Sequence, residues 1–238
     1  MDEELQQTDL ESSTQTGDGE QEWPSTVRYN RKWFLVLGGV AVAGVVGVFA
    51  GLKKLSGSEA GGPLSDMFGP FPVRSAEDVP VVPSADWVIT VDGLVDQTLT
   101  IDYAAWSSLP RFDETVDFHC VEGWTVENVR WGGVAPARLL EKAGLKPEAR
   151  YAVFHAYGGT YLSSVPLDLV TAPKSVLADT LNGETLPPKH GGPIRLVVPD
   201  QLGYKNVKWV ERIEITDAAR AGYWEKRGYP ERAPIPGG

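Results

Sequence analysis

Residues 118–125 read Phe-His-Cys-Val-Glu-Gly-Trp-Thr and contain Cys120, the one cysteine among 238 residues. The residues before it, 115–119, predict a strand that ends just ahead of Cys120. A cysteine can serve as a thiolate nucleophile, as a metal ligand or as a small buried apolar group. Neighbouring strand residues point to opposite faces, so His119 is poorly placed to activate Cys120. A lone cysteine excludes an internal disulfide, a cysteine zinc finger and an iron–sulfur cluster.

Further stretches decide between these interpretations. Residues 131–134 read Trp-Gly-Gly-Val, and residues 190–199 read His-Gly-Gly-Pro-Ile-Arg-Leu-Val-Val-Pro. Residues 203–209 read Gly-Tyr-Lys-Asn-Val-Lys-Trp, and residues 222–229 read Gly-Tyr-Trp-Glu-Lys-Arg-Gly-Tyr. Together with residues 118–125, and in this order, they resemble the molybdopterin-binding domain of the sulfite oxidase family, especially its bacterial and archaeal branch. Several stretches in register are far more specific than any one of them.

The resemblance implies an oxidoreductase that binds a molybdenum–molybdopterin cofactor. Cys120 would be the catalytic residue and the metal ligand, because a polarizable thiolate suits a metal that the two pterin sulfurs already hold. The phosphate and the polar ring edge of the pterin require convergent cations and hydrogen-bond donors. The candidate cofactor-binding residues are His155, His190, Arg195, Asn206, Val207 and Lys208, with the backbone amides of Asn206 and Val207 directed at the phosphate.

Some of these residues also have simpler interpretations. His190 could be a turn histidine ahead of a Gly-Gly pair, and His155 could be a core histidine whose hydrogen bonds are satisfied. Lys205 is expected to be a solvated charge at the end of a strand rather than a ligand. Trp124 follows Cys120 closely enough to shape an access channel, whereas Trp224 is expected to serve in packing.

Frequent turn signals between short apolar runs predict an α+β fold dominated by strands, and the resemblance implies the sulfite-oxidase type of this fold. Tight turns are expected at Asp92-Gly93 and Asn182-Gly183. Asp102 is expected to cap a helix over residues 103–109, and Gly144 to end a helix over residues 135–143. Strands are expected at residues 87–91, 94–101, 115–119, 151–157, 175–178, 194–198 and 207–215.

The residues ahead of the domain predict a membrane anchor. Residues 1–24 contain eight acids and no base, so residues 1–32 are expected to be a disordered acidic tail. Residues 33–52, which begin at Trp33 and end at Leu52, carry no charge and span about 30 Å as a helix, the thickness of a bilayer's hydrocarbon core. A linker over 53–69, the catalytic domain over 70–230 and a C-terminal tail over 231–238 are expected to follow.

The basic residues around the apolar stretch favour a single-pass protein of the cell membrane with an extracytoplasmic catalytic domain. Residues 30–35, Asn-Arg-Lys-Trp-Phe-Leu, resemble the twin-arginine export motif, although Lys32 stands where that motif has its second arginine. A simple basic flank of a membrane helix is the alternative. Residues 58–60 could serve as a cleavage site for an export signal.

The residues after Cys120 bear on the substrate. Animal and plant members of the family follow the cysteine with arginines suited to an anion, whereas residues 121–125 of this chain contain no arginine and include Glu122. A carboxylate near the metal would repel sulfite. We therefore expect the small-molecule substrate to be a neutral sulfoxide rather than sulfite, unless Arg74, Arg111 or Arg130 enters the pocket.

Charge and redox chemistry limit the partners. Beyond residue 24 the chain carries 24 acids and 22 bases, which leaves no basic stripe for a nucleic acid. A two-electron reaction needs a redox partner, and the anchor suggests a haem-containing membrane subunit, a quinone pathway or a cytochrome. The alternative from another class is a membrane-tethered, β-rich binding module with the same fold and no metal.

Overall fold

The computed structural model describes residues 27–29 and 71–235, and their strands form two β-sheets. The six-stranded sheet contains β1 (Val27–Tyr29), β4 (Phe112–His119), β5 (Trp124–Val134), β8 (Val176–Leu181), β9 (Glu184–Thr185) and β10 (Arg195–Val197). The five-stranded sheet has the order β3 (Leu99–Asp102), β2 (Val88–Gly93), β11 (Val210–Thr216), β6 (Tyr151–Ala156), β7 (Leu162–Pro166). The α-helices of the described residues are α1 (Tyr103–Ser107), α2 (Pro136–Ala143) and α3 (Leu167–Val170). This architecture confirms the predicted β-rich mixed fold.

The main core is shared by both sheets because successive strand residues face opposite sides. In β2, Ile89 and Val91 are buried in this core, and in the six-stranded sheet Leu177 and Leu196 face it too. The residues beside them, such as Val197, face a second apolar cluster around Trp131 on the other side of the sheet. Each such side chain contributes roughly 1.5 to 3 kcal/mol by leaving water.

Two helix predictions are confirmed with their capping residues, although the first helix is two residues shorter at its C-terminal end than predicted and the second begins one residue later. The carboxylate of Asp102 accepts a hydrogen bond from the Ala105 amide and caps α1, which ends at Ser107. Helix α2 begins with Pro136, where a missing N–H costs nothing, and Gly144 ends it with a φ of +73°. Its buried residues, Pro136, Leu139, Leu140 and Ala143, recur at the helical period and pack into the main core.

The two predicted tight turns differ in outcome. Asn182 and Gly183 both have positive φ and join Leu181 to Glu184, its partner across the β8–β9 hairpin, as predicted. The prediction of a tight turn at Asp92-Gly93 is wrong. The β2–β3 pairing ends at Val91↔Leu99, and Gly93 instead pairs in parallel with Ile215 of β11. A longer loop therefore connects β2 to β3.

Strand β5 was not predicted, although its 11 residues make it the longest element described. It pairs with β4 along one edge and with β8 along the other, so its length depends on partners distant in the chain. Its register shifts between Gly132 and Gly133. A side chain at Gly133 would overlap the carbonyl of Leu177, which explains the Gly-Gly pair at this position.

The segments outside the domain are described only in part. Strand β1 lies within the range predicted to be the acidic tail and pairs in parallel with residues 124–126 at the start of β5. The predicted membrane segment, residues 33–52, and most of the linker lie outside the described residues. Within residues 27–29 and 71–235, no helix is long and apolar enough to cross a bilayer.

Candidate functional site

Cys120 lies where the chain reverses between the first long strands of the six-stranded sheet. Strand β4 ends at His119, the Cys120 amide donates to the carbonyl of Trp124, and the Gly123 amide donates to the carbonyl of Cys120. Gly123 has a φ of +88° and permits this turn. The strand prediction over residues 115–119 is therefore confirmed, and the tertiary structure holds the thiol at the end of β4.

A cavity of about 290 Å³ contains Cys120 in its wall. Its polar lining includes three cations and two carboxylates, and its apolar lining is mainly aromatic. The charged residues are Arg74, Glu77, Glu122, Arg195 and Lys208. Cavities of this kind, with an aromatic lining and a few convergent polar groups, bind small molecules or cofactors.

The surroundings of the Cys120 thiol do not favour a role as a nucleophile. Burial raises its pKa to about 11, and the nearby Glu122 carboxylate also disfavours the thiolate. His119 is not part of the cavity wall, and its Nδ1 lies 2.8 Å from Oγ1 of Thr125. Without an adjacent base the thiol remains protonated at neutral pH, which disfavours a thiol hydrolase.

Arg195 is the most deeply buried cation of the cavity, with 2% of its surface exposed. Its Nη1 donates to the carbonyl of His190 at 2.7 Å and its Nη2 to the carbonyl of Asn206 at 3.1 Å. Its Nε is buried and has no partner within the described residues. An arginine remains protonated at neutral pH, so the buried N–H is a donor that a ligand can satisfy.

Lys208 lies beside this arginine. Its Nζ donates to the carbonyls of Arg74 and Lys189 at 2.7 and 2.9 Å. Burial, and to a smaller extent the charge of Arg195, lower the pKa of Lys208 to about 7. No carboxylate pairs with either cation in the described part of the chain. Two mutually repelling cations without an acidic partner form a site for an anion.

His190 and the glycine after it explain how these cations converge. His190 is buried, and its ring packs 4.9 Å from that of Phe71 on the cavity wall. Gly191 has a φ of +109°, and a Cβ at this position would lie 2.9 Å from Cγ of Lys208 and 3.0 Å from Cβ of Arg195. Only glycine leaves room for both side chains, so the His-Gly-Gly sequence is part of the site's construction.

The structure brings together four of the six predicted cofactor-binding residues, namely His190, Arg195, Asn206 and Lys208. The Asn206 side chain accepts from the Val198 amide, while the amides of Asn206 and Val207 donate to Gly203 and Lys205. Both amides predicted to reach a phosphate are thus already engaged, and Val207 is buried in the main core away from the cavity.

His155 is also absent from the cavity wall. Its Nε2 lies 3.1 Å from Oε2 of Glu214 on the neighbouring strand β11. Burial lowers the pKa of His155, and the hydrogen bond to Glu214 opposes that shift. The simpler interpretation of His155, a histidine whose hydrogen bonds are satisfied within the fold, matches this placement.

Glu122 does not stand alone beside Cys120. Nε of Arg74 donates to both of its oxygens at 2.9 and 2.8 Å, and Nε1 of Trp124 donates to Oε2 at 2.9 Å. Arg74, Glu122 and Trp124 all line the cavity. The expectation that one of the distant arginines could enter the pocket is met by Arg74. The pair has no net charge, so Glu122 repels an anion less than its position beside Cys120 suggested.

The buried position of Lys205 contradicts the prediction that it is a solvated charge. It is 1% exposed, and its Nζ donates to Oε1 of Glu225 at 2.6 Å. This buried ion pair connects the turn at Gly203–Lys205 to the C-terminal segment, residues 222–229, which supplies Trp224 and Tyr229 to the cavity wall. Trp224, predicted to serve in packing, therefore also borders the site.

Sequence reasoning missed Glu77, Tyr161 and Tyr229 as cavity residues. Tyr229 lies in one of the stretches that carried the family resemblance, and that was a usable signal. Glu77 and Tyr161 lie outside those stretches, and nothing in their local sequence distinguishes them from surface or core residues.

The cavity fits the predicted cofactor. Molybdopterin carries an anionic phosphate and polar ring edges, and the unpaired Nε of Arg195 beside Lys208 offers donors of the required charge. Cys120 offers a sulfur ligand in the same cavity. Arg195, Lys208, His190 and Asn206 would hold the cofactor, and Cys120 would bind its metal.

Comparison with known proteins agrees with the predicted cofactor. Residues 76–224 match the family described as "Oxidoreductase molybdopterin binding domain". The chain is 40% identical over 164 residues to the "Uncharacterized oxidoreductase YuiH" of Bacillus subtilis, covering 68% of this chain and 82% of that protein. It is 33% identical to the "Putative protein-methionine-sulfoxide reductase subunit YedZ1" of Azospira oryzae, covering 70% of this chain and 64% of the relative.

Two matches extend to larger proteins. The mitochondrial sulfite oxidase of Drosophila melanogaster is 30% identical, over 69% of this chain and 33% of its own length. The crystal structure of the sulfane dehydrogenase SoxCD from Paracoccus pantotrophus superposes with a TM-score of 0.58 at 28% identity, over 62% of this chain and 42% of that one. The chain therefore belongs to the molybdopterin-binding oxidoreductases related to sulfite oxidase.

Proposed function

We propose that this molybdopterin-dependent oxidoreductase removes oxygen from a neutral sulfoxide, with Cys120 as the ligand of its molybdenum. The observation that carries the cofactor assignment is the pair of buried cations, Arg195 and Lys208, in one cavity with the only cysteine. When bound, molybdenum supplies two-electron oxygen-atom chemistry. In the reaction the S–O bond breaks, two electrons and two protons are taken up, and the sulfide and water are released.

The substrate proposal is supported by the state of Arg74. Its Nε is engaged by Glu122 and its Nη1 donates to the carbonyl of Val73. Nη2 makes no hydrogen bond to the described residues and can donate to a polarised oxygen. A neutral sulfoxide can use this donor while the ion pair stays intact. Sulfite, a doubly charged anion, would need an uncompensated cation and would compete with Glu122 for Arg74.

Metal content tests the cofactor assignment. The full chain, purified from a host that synthesises molybdopterin, should contain close to one molybdenum per chain by mass spectrometry, and Cys120→Ser should lose the metal or its redox activity. A metal-free wild-type protein from the same host would instead favour the binding module that has kept the fold without the metal.

Paired assays test the substrate. With a reduced dye as donor, wild-type protein should reduce methionine sulfoxide, and its sulfite oxidation should be slow or absent. Glu122→Gln removes the charge that engages Arg74 while keeping the shape of the side chain. Because an exposed ion pair is worth up to about 1 kcal/mol, this variant should raise the sulfite rate relative to the sulfoxide rate about fivefold. A wild-type sulfite rate above the sulfoxide rate would contradict the proposal.

The electron partner and the location belong to the same proposal. We place the catalytic domain outside the cytoplasm on a membrane anchor formed by residues 33–52, so that electrons come from a haem-containing membrane subunit, a quinone pathway or a cytochrome. The relative from Azospira oryzae, described as a "Putative protein-methionine-sulfoxide reductase subunit", supports a partner protein.

A further inference from the structure

The two carboxylates that line the cavity differ in their hydrogen bonding. Both oxygens of Glu122 accept from Arg74, and one of them also accepts from Trp124. Glu77 has a side-chain hydrogen bond with Thr160, but its buried Oε1 has no partner within the described residues. Burying a carboxylate oxygen without a donor is unfavourable, so this oxygen faces a group that a ligand must supply.

The position of Glu77 limits what that group can be. Glu77 lies in the wall formed by residues 71–77, near the β6–β7 connection that contains Thr160 and Tyr161. Tyr161 experiences both the negative charge of Glu77 and the positive charge of Arg195. The cavity therefore presents a donor group, Arg195 with Lys208, and a separate acceptor, Glu77. A ligand that satisfies both must carry an anionic group and a separate N–H or O–H edge.

We propose that Glu77 binds the aminopyrimidinone edge of the pterin, accepting hydrogen bonds from its amino group and the neighbouring ring N–H. These two parallel donors match the two oxygens of a carboxylate, as a guanidinium does. The inference rests on the proposed cofactor site and adds a specific anchor for the ring. Burial raises the pKa of Glu77, and two N–H donors would stabilise its ionised form.

Cofactor retention is the first test. Full-length Glu77→Gln from a molybdopterin-producing host should release its pterin at least about tenfold faster than wild type, because an amide offers one acceptor where the carboxylate offers two charged ones. The release is followed by the fluorescence of the freed, oxidised pterin and by molybdenum content. Asp78→Asn is the matched control, since Asp78 is the next residue, is exposed and is not in the cavity wall.

Ligand selectivity is the second test and separates an anchor from a general loss of folding. Cofactor-free wild-type protein should bind pterin-6-carboxylate about tenfold more tightly than the matching 2-oxo lumazine, which lacks the amino group. Glu77→Gln should lose this preference while its circular dichroism remains that of wild type. Unchanged release from Glu77→Gln, or an unchanged preference, would overturn the inference. A wild-type protein that never holds a pterin would instead overturn the proposed function.

Discussion

At the scale of the residue, the two buried cations of the cavity are the main indication of an anionic ligand, because neither has an acidic partner among the described residues. Arg195 and Lys208 are held by backbone carbonyls, which orient them without neutralising them. Folding therefore places two like charges together at a cost that an anionic ligand recovers. A site of this kind binds its cofactor tightly, and the cofactor-free protein should be less stable than the loaded one.

Replacing either cation should lower cofactor occupancy. Arg195→Ala and Lys208→Ala each remove charge-assisted contacts worth roughly 1.5 to 3 kcal/mol, so molybdenum and pterin content should fall in both variants when each is expressed in a molybdopterin-producing host. Arg130→Ala, which changes an exposed arginine outside the cavity wall, is the control and should keep normal occupancy. Normal occupancy in both cavity variants would mean that the pterin binds elsewhere.

The variants should also differ in pH dependence. Lys208 has a pKa of about 7 without a ligand, so binding of an anion must compete with loss of its proton as the pH rises. Reloading of cofactor-free wild-type protein should weaken from pH 6 to pH 8, and Lys208→Ala should weaken less over the same range. Reloading is measured by pterin fluorescence. An equal pH dependence in wild type and Lys208→Ala would assign it to another group.

At the scale of the element, the buried ion pair Lys205–Glu225 fixes the C-terminal segment that closes the cavity. Glu225 also accepts from Oγ of Ser163 on β7, so one carboxylate joins three parts of the chain. Tyr204, in the same turn as Lys205, donates to the carbonyl of Pro230 and packs against Tyr229. The wall that contains Trp224 and Tyr229 thus depends on contacts made by the turn at Gly203–Lys205.

Breaking this pair should destabilise the protein more than breaking an exposed one. Glu225→Gln leaves the Lys205 ammonium buried without its counter-charge, and we expect a loss of about 3 to 5 kcal/mol in the free energy of unfolding. The double variant Lys205→Met, Glu225→Gln should recover most of that loss. The control is Arg232→Ala, which breaks an ion pair with Asp168 that is more than half exposed and should cost at most about 1 kcal/mol. Urea unfolding of the detergent-solubilised chain measures all of these, and equal losses in Glu225→Gln and the control would contradict the role of the pair.

At the scale of the whole molecule, the proposed membrane anchor and strand β1 require different locations for the N-terminus. A membrane span over residues 33–52 puts residues 1–32 on one side and the domain on the other. Strand β1, residues 27–29, pairs with β5 inside the domain. One chain cannot satisfy both at the same time, so the location of the N-terminus decides between them.

External protease on intact spheroplasts makes that decision. If residues 33–52 span the membrane as we propose, protease should remove the catalytic domain, and an epitope tag at the N-terminus should remain protected. Protease added after lysis is the control and should remove the tag as well. A tag removed together with the domain would place both on the outer side, consistent with β1 pairing and contrary to a single span. A protected domain would move the enzyme to the cytoplasmic face.

The sequence by itself was enough to determine the family and to select a cysteine and two cations that line the same cavity. Those residues lie in contiguous stretches whose order and spacing are specific, and the local signals at Asn182-Gly183 and Gly144 act through their own backbone, so no distant partner was needed to recognise them. Strand β5 was not predicted because its length depends on pairing with β4 and β8.

Only the tertiary structure decided the state of the charges. Arg74 and Glu122 are 48 positions apart in the chain, and their pairing changes Glu122 from a repelling charge into half of a neutral pair. Lys205 is a buried cation whose charge is paired with Glu225. The His155 side chain contacts Glu214 and does not line the cavity. Glu77 became a cavity residue because its segment folds over the site. Charge interactions depend on distance and burial, and folding sets both.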